Sequence, residues 1–285
     1  MKNILVPTDF SDLSLNAKNL ANIIAKHTGA ILHFIKVIQT SSDIALNHDG
    51  DLLDSCATDQ TFLIEQKKEA LAAMEDFTKD ITQHKITKIG FGHVQQYITQ
   101  YQQANNIDLV VMATHGVSGL KEFISGSVTE HVTLKSPVPV LSLKCDRSNI
   151  DFSDLMITGE FQALYSKDIE IIKMMQNVFK SKLHLLAVNT QKNYLTTSEW
   201  LKKMNVFTEL HELNNPEYHI HNDKTLEDGI VNFCNNYDAT HTLDLDIIAV
   251  QKNKKSDLGY LLTGCTATRL INHIYRPLIT YQVEK

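Results

Sequence analysis

Ile107-Asp108-Leu109-Val110-Val111-Met112-Ala113-Thr114-His115-Gly116, followed after nine further residues by Gly126-Ser127, is the stretch that decides the fold. Its first part is an apolar run with the length and β-branched content of a buried strand. Beyond Ser127, apolar residues recur at Val128, Val132 and Leu134, as on one face of a helix. Strand, glycine-bearing loop and helix start, in that order, is how open α/β sheets build phosphate sites. Glycine lets backbone approach the anion, and the N–H groups and dipole of the helix N-terminus attract negative charge. The same residues carry a second reading: Ser127 with Glu130 forms a capping box, and Gly116 and Gly119 suit turns.

Outward from this stretch the chain repeats itself. At an offset of 151, Asp9 aligns with Glu160, and Leu20, Ile23 and Ile24 align with Ile171, Met174 and Met175. Leu32-His33-Phe34-Ile35 aligns with Leu183-His184-Leu185-Leu186, and Val37 with Val188. Further on the offset is 138: Asp108-Leu109-Val110-Val111 aligns with Asp246-Ile247-Ile248-Ala249, Gly126 with Gly264 and Pro139 with Pro277. The second copy is thus a net thirteen residues shorter, and the polar stretch Thr40 to Gln60 is the natural source of the difference.

Each copy reads as β-α-β-α-β-α-β-α-β. In the first, strands are expected near 2–6, 31–38, 86–92, 107–112 and 138–143, and helices near 12–28, 61–83, 95–105 and 127–135. Ser11 or Asp12 caps the first helix and Gly29 ends it. Such alternation predicts α/β architecture: two tandem open parallel five-stranded sheets with helices on both faces and right-handed crossovers. The domains are 1–146 and 151–285, joined by a short polar linker.

Composition is that of an ordinary globular chain: 285 residues, 43% hydrophobic, 21% charged, net charge −6. No basic stripe interleaved with aromatics appears, which argues against nucleic acid as a partner. No signal peptide or membrane span is evident, and four cysteines without paired spacing (Cys56, Cys145, Cys234, Cys265) read as reduced thiols; the expectation is a cytoplasmic protein. His219-x-His221, with His211 nearby, is the one local histidine cluster and reads as a solvated loop, so no metal-ligand residues are assigned.

The string Ala113-x-x-Gly116-x9-Gly126-Ser127 resembles the nucleotide-binding loop of the universal stress protein family, Gly-x-x-Gly-x9-Gly-Ser/Thr, with alanine in place of the first glycine. Pro7-Thr8-Asp9-Phe10-Ser11 is similar to the family's first strand end. The resemblance implies a Rossmann-like, adenine nucleotide alpha hydrolase-like fold and binding of ATP, or of AMP or ADP, with Mg²⁺ accompanying the nucleotide. It places Pro7, Thr8 and Asp9 by the nucleotide, with Asp9 on the ribose or a metal-associated water. It puts the backbone of Val37 against adenine and the phosphates among Ala113 to Gly116 (His115 included), Gly126, Ser127 and Val128, with Met112 also among the nucleotide-binding residues. For Asp9, capping of the first helix stands beside the ligand role, and Val37 is core in either case.

The second copy departs from the pattern. Ala113 aligns with Gln251, Gly116 with Lys254, Ser127 with Cys265 and Asp9 with Glu160; Lys252, Lys254 and Lys255 read as solvated loop lysines. One nucleotide per chain, in the first copy, is therefore expected. The implied role is a nucleotide-dependent stress-response regulator. A slow ATPase, or an interaction module that has lost its ligand, are the alternatives. Efficient hydrolysis is disfavoured by the lack of a Walker lysine and of any arginine in residues 1–146. Family members commonly pair through their last strands, so Val138 to Leu143 and Pro277 to Tyr281 are candidates for pairing within one chain, with a homo-oligomer as a further partner state.

Overall fold

The computed structural model describes residues 1–40, 57–114, 128–143, 152–240, 245–252, 270 and 276–283, with backbone alone at 57–60 and 236–240. They fall into two units, the first within Met1–Ala113 and Lys121–Val138, the second within Thr114–Leu120 and Pro139–Lys285.

The first unit runs β1 (Asn3–Pro7), α1 (Asp12–Thr28), β2 (Ile31–Ile38), α2 (Ala57–Phe77), β3 (Lys85–Phe91), α3 (Val94–Ala104), β4 (Leu109–Ala113) and α4 (Val128–Lys135). Its strands lie in the order β3-β2-β1-β4, and every pairing given between them is parallel. β1 continues on one side into β2 and meets β4 on the other, so the direction of winding reverses between β1 and β4. That reversal leaves a crevice at the carboxyl ends of the strands, where open α/β sheets bind ligands.

Apolar spacing decides which face of α1 is buried. Ala17, Leu20, Ala21, Ile24 and Ala25 are fully buried; removing each large side chain from water contributes about 1.5–3 kcal/mol. The ends are set by chemistry. The Ser11 hydroxyl accepts from the Ser14 N–H, and Gly29, at φ 70°, donates its N–H to the Ala25 carbonyl. That left-handed conformation is cheap only for glycine. The second helix ends at Phe77, short of the expected 83, and lysines satisfy carbonyls there: Lys18 Nζ donates to Phe77 O at 2.9 Å and to Asp80 Oδ1 at 2.7 Å, and Lys85 Nζ donates to Thr78 O. Cations at a helix C-terminus satisfy orphan carbonyls and oppose the dipole.

The second unit holds β5 (Val140–Leu143), β6 (Asp154–Thr158), α5 (Lys167–Phe179), β7 (Lys182–Asn189), α6 (Thr197–Leu210), β8 (Glu217–Asn222), α7 (Leu226–Thr240), β9 (Ile247–Gln251) and β10 (Leu278–Tyr281). Strand order is β5-β10-β9-β6-β7-β8. β10 runs parallel to β9 but antiparallel to β5, with Ile279 opposite Leu141. The pairing joins the two segments expected to be last strands, and both are fully buried.

The internal repeat extends to single hydrogen bonds. Asp108 Oδ2 accepts from Asn3 N at 3.0 Å, and Asp246 Oδ2 accepts from Asp154 N at 3.1 Å; both pairs obey the 138 and 151 offsets. These aspartates hold the amino ends of neighbouring strands together. Ile107 N is taken by Gln102 O at 3.2 Å, and Asp108 N is the first to reach β1, at Asn3 O, 2.9 Å, so β4 begins after Ile107.

Candidate functional site

Three strand ends of the first unit converge on the crevice. Leu5 lies opposite His33 of β2 and opposite Val110 of β4, so Pro7, Val37 and Met112-Ala113 all sit toward the carboxyl edge. Thr8 N donates to Ile35 O at 2.9 Å, which carries β1's pairing one residue past Pro7. Val37 is buried in the sheet. Val128 opens α4, and the neighbouring Thr129 hydroxyl donates to the Ala113 carbonyl at 3.1 Å. That bond fixes the first turn of α4 over the end of β4. His115, Gly116, Gly126 and Ser127 lie outside the described residues.

Asp9 braces the start of α1 without being its cap. Its Oδ1 accepts from Ser11 N at 3.0 Å, from Ser11 Oγ at 2.6 Å and from Ser14 Oγ at 2.6 Å. Burial works to raise its pKa, but the serine donors outweigh it and hold the carboxyl at about 2. Asp9 is therefore an exposed acceptor, ionised at neutral pH, at the crevice edge. Such a group accepts from hydroxyls and repels phosphates.

Phe10 follows with φ 69°, a left-handed backbone that costs a non-glycine residue about 1–2 kcal/mol. Its ring packs edge-on against Phe77 at 5.6 Å. Phe161, at the aligned position of the second copy, has φ 46° and packs on Phe207 at 5.3 Å. Both copies keep the same strained turn at the carboxyl edge, anchored each time by ring packing.

The second copy fills the corresponding crevice with its own side chains. Gln251, aligned with Ala113, is buried, and its Oε1 accepts from Glu160 N at 2.9 Å. Tyr281 is buried too and donates its hydroxyl to Thr158 O at 3.3 Å. Gly159 is required beneath them: a Cβ there would lie 2.5 Å from Gln251 Oε1 and 2.6 Å from the Tyr281 oxygen. Lys252 is buried, not solvated as expected, because its N–H extends the β9–β10 pairing to Tyr281 O at 2.7 Å; Lys254, Lys255 and Cys265 lie outside the described residues. A cavity of about 450 Å³ opens at the carboxyl ends of β7 and β8, beside Asn189, Tyr194 and Asn222. Asn189 is already committed there: its Oδ1 accepts from Leu195 N and from the indole of Trp200.

The histidine cluster is not a loop. His219 and His221 lie on β8, while His211 stacks with Tyr165. His219 meets His184 of β7, whose Nδ1 lies 3.0 Å from His219 Nε2. Local spacing had no means of finding a partner 35 residues away; the signal was the strand alignment of His184 with His33. Cys234 is buried, and burial pushes its thiol pKa up to about 12, which makes it inert. Among the described residues no helix is long and apolar enough to cross a membrane.

Comparison with known proteins bears on the first half most directly. The family model described as "Universal stress protein family" matches residues 1–144. Universal stress protein MJ0531 of Methanocaldococcus jannaschii is 32% identical over 143 residues, covering 50% of this chain and 82% of the relative. MJ0577 of the same organism is 30% identical, covering 50% and 94%. A crystal structure of a universal stress protein from Archaeoglobus fulgidus aligns over 99% of this chain and 97% of its own, with TM-score 0.69 at 18% identity, a likeness of fold through both units.

Proposed function

The chain belongs to the universal stress protein family, and from that premise we propose that its first unit binds ATP and that the protein acts as a nucleotide-dependent regulator of the stress response. One observation carries the reading. Where Gln251 reaches across the second copy's crevice to Glu160 N, the first copy has only the methyl group of Ala113. Ala113, which has no side-chain polar group, cannot make the corresponding bond in the first unit.

The residues present suit the ligand. Pro7, Thr8 and Asp9 line one side, and Asp9, as an ionised acceptor, takes a ribose hydroxyl. The backbone of Val37 meets adenine. Ala113 and Val128 flank the phosphates together with His115, Gly116, Gly126 and Ser127, and Met112 completes the nucleotide-binding set. The N-terminus of α4 supplies the positive dipole end. Mg²⁺ enters as the counter-ion of the phosphates.

Two measurements test this. Denaturing the purified chain and separating the released small molecules should yield an adenine nucleotide, or calorimetry on the nucleotide-stripped chain should give saturable ATP binding. Neither signal would support the interaction module instead. Ala113→Gly should tighten ATP binding by about 1 kcal/mol, roughly fivefold, as the methyl group gives way to closer backbone approach. Unchanged or weaker binding in a calorimetric titration would place the phosphates away from Ala113.

A further inference from the structure

At the amino end of the second unit's sheet, far along the strands from the Gln251 crevice, three metal-competent side chains meet. His184 is the third residue of β7, and Glu217 and His219 are the first and third of β8. Register places Glu217 beside His184 and His219 beside Leu186. The three donor atoms lie within 4.8 Å of one another: His184 Nδ1 is 3.0 Å from His219 Nε2 and 3.5 Å from Glu217 Oε2. In a tetrahedral zinc site with bonds of about 2.0–2.1 Å, neighbouring donors stand roughly 3.3 Å apart. The 3.0 and 3.5 Å separations bracket that value.

The surroundings orient the donors as a metal would need. His184 is wholly buried, and its Nε2 lies 2.8 Å from Oδ1 of Asp154, itself 1% exposed. With Nε2–H donating to that carboxylate, the Nδ1 lone pair is the one directed at His219, the carboxylate–histidine arrangement that backs zinc ligands. Lys182 engages the other oxygen of Glu217, Oε1, at 2.7 Å, so Oε2 is the one turned toward the histidines. Glu217 is half-exposed, which leaves a path for an ion and room for a water as fourth ligand.

The first copy is an internal control. His33, aligned with His184, is buried in the same way, but Nε2 faces the amide oxygen of Asn3 at 3.2 Å and Nδ1 faces the Tyr101 hydroxyl at 3.0 Å. Asn3 aligns with Asp154. The register positions of Glu217 and His219 are held by Ile86 and Lys88 on β3. The second copy thus differs from the first by an orienting carboxylate and two further ligands at one spot. A burial role for the histidine alone needs none of these changes.

We propose that the second unit binds one zinc-class divalent cation between β7 and β8, through Nδ1 of His184, Nε2 of His219 and a carboxylate oxygen of Glu217. Imidazole and carboxylate in this number suit Zn²⁺ and disfavour Mg²⁺ and Ca²⁺, which take oxygen ligands. The ion ties β8 to β7 by their side chains as well as by the backbone ladder.

The test uses the full chain, treated with chelator and titrated with Zn²⁺ alone. Calorimetry is expected to show one zinc per chain and no response to Mg²⁺. Co²⁺ in its place should give the visible absorption of a low-coordinate nitrogen–oxygen site. His219→Ala should weaken binding at least a hundredfold and remove the Co²⁺ spectrum, and Glu217→Gln should weaken it about tenfold. Both positions reach solvent, and circular dichroism checks that the fold persists; should His219→Ala not fold, Glu217→Gln and the wild-type Co²⁺ spectrum still decide. No zinc binding by the wild-type chain, or wild-type affinity in folded His219→Ala or in Glu217→Gln, overturns the proposal. ATP binding by the first unit is read separately, so either inference can fail alone.

Discussion

Gly116→Lys is expected to fold as the parent does and to lose ATP binding, a fall of more than about a hundredfold. The physical reason is contact distance. A phosphate held by backbone N–H groups needs the chain to come within hydrogen-bond reach, and glycine allows this because it has no Cβ. Lysine places a Cβ and four further carbons in that space. Its charge attracts an anion, but from the end of a flexible stem rather than from a fixed cradle. The second copy carries lysine at the aligned position, Lys254, and the family fold extends through that copy, so the substitution should leave the structure intact. Circular dichroism and a calorimetric titration check the two halves of the claim. Wild-type affinity in a folded variant would remove this loop from the site.

Saturation at one ATP per full-length chain is the second large effect. The second copy's crevice is occupied by Gln251 and Tyr281, and the positions of the second glycine and the loop hydroxyl are lysine and cysteine. Removing the glutamine alone should not restore a site, because Lys254 and Cys265 remain. Gln251→Ala should accordingly stay at one nucleotide and lose some stability, since Glu160 N forfeits its acceptor, a cost of about 1–3 kcal/mol. Two nucleotides bound per wild-type chain would show that the filled crevice opens to ligand.

Much of this architecture was legible because it rests on local periodicity. The strand at Leu109–Ala113, the helix at Asp12–Thr28 and its Ser11 and Gly29 ends follow from apolar spacing, a hydroxyl and a left-handed turn. The repeat was legible too, since Asp108 and Asp246 do the same job at matching offsets. What escaped were features made by side chains brought together across the sheet. Gln251 reads in sequence as the loss of a small residue, whereas in the structure its buried side chain accepts from Glu160 N across the sheet. His219 and His221 read as loop because alternating polar residues on an edge strand lack the apolar signal of a buried one. The left-handed Phe10 and Phe161 are tolerated only through packing against Phe77 and Phe207, which no local rule foresees.

The antiparallel pairing of β5 with β10 also sets a clock. Val140–Leu143 and Leu278–Tyr281 are separated by most of the second half of the chain. At a translation rate of ~5–20 residues per second, β5 is made on the order of ten seconds before its partner exists. Throughout that interval one edge of an apolar strand stays open on a nascent polypeptide, and an open edge is a template for any neighbouring chain. On a crowded polysome the nearest β10 belongs to the ribosome ahead. Slow decoding through the second half would then exchange strands between sister molecules, whereas fast decoding lets each molecule close on itself.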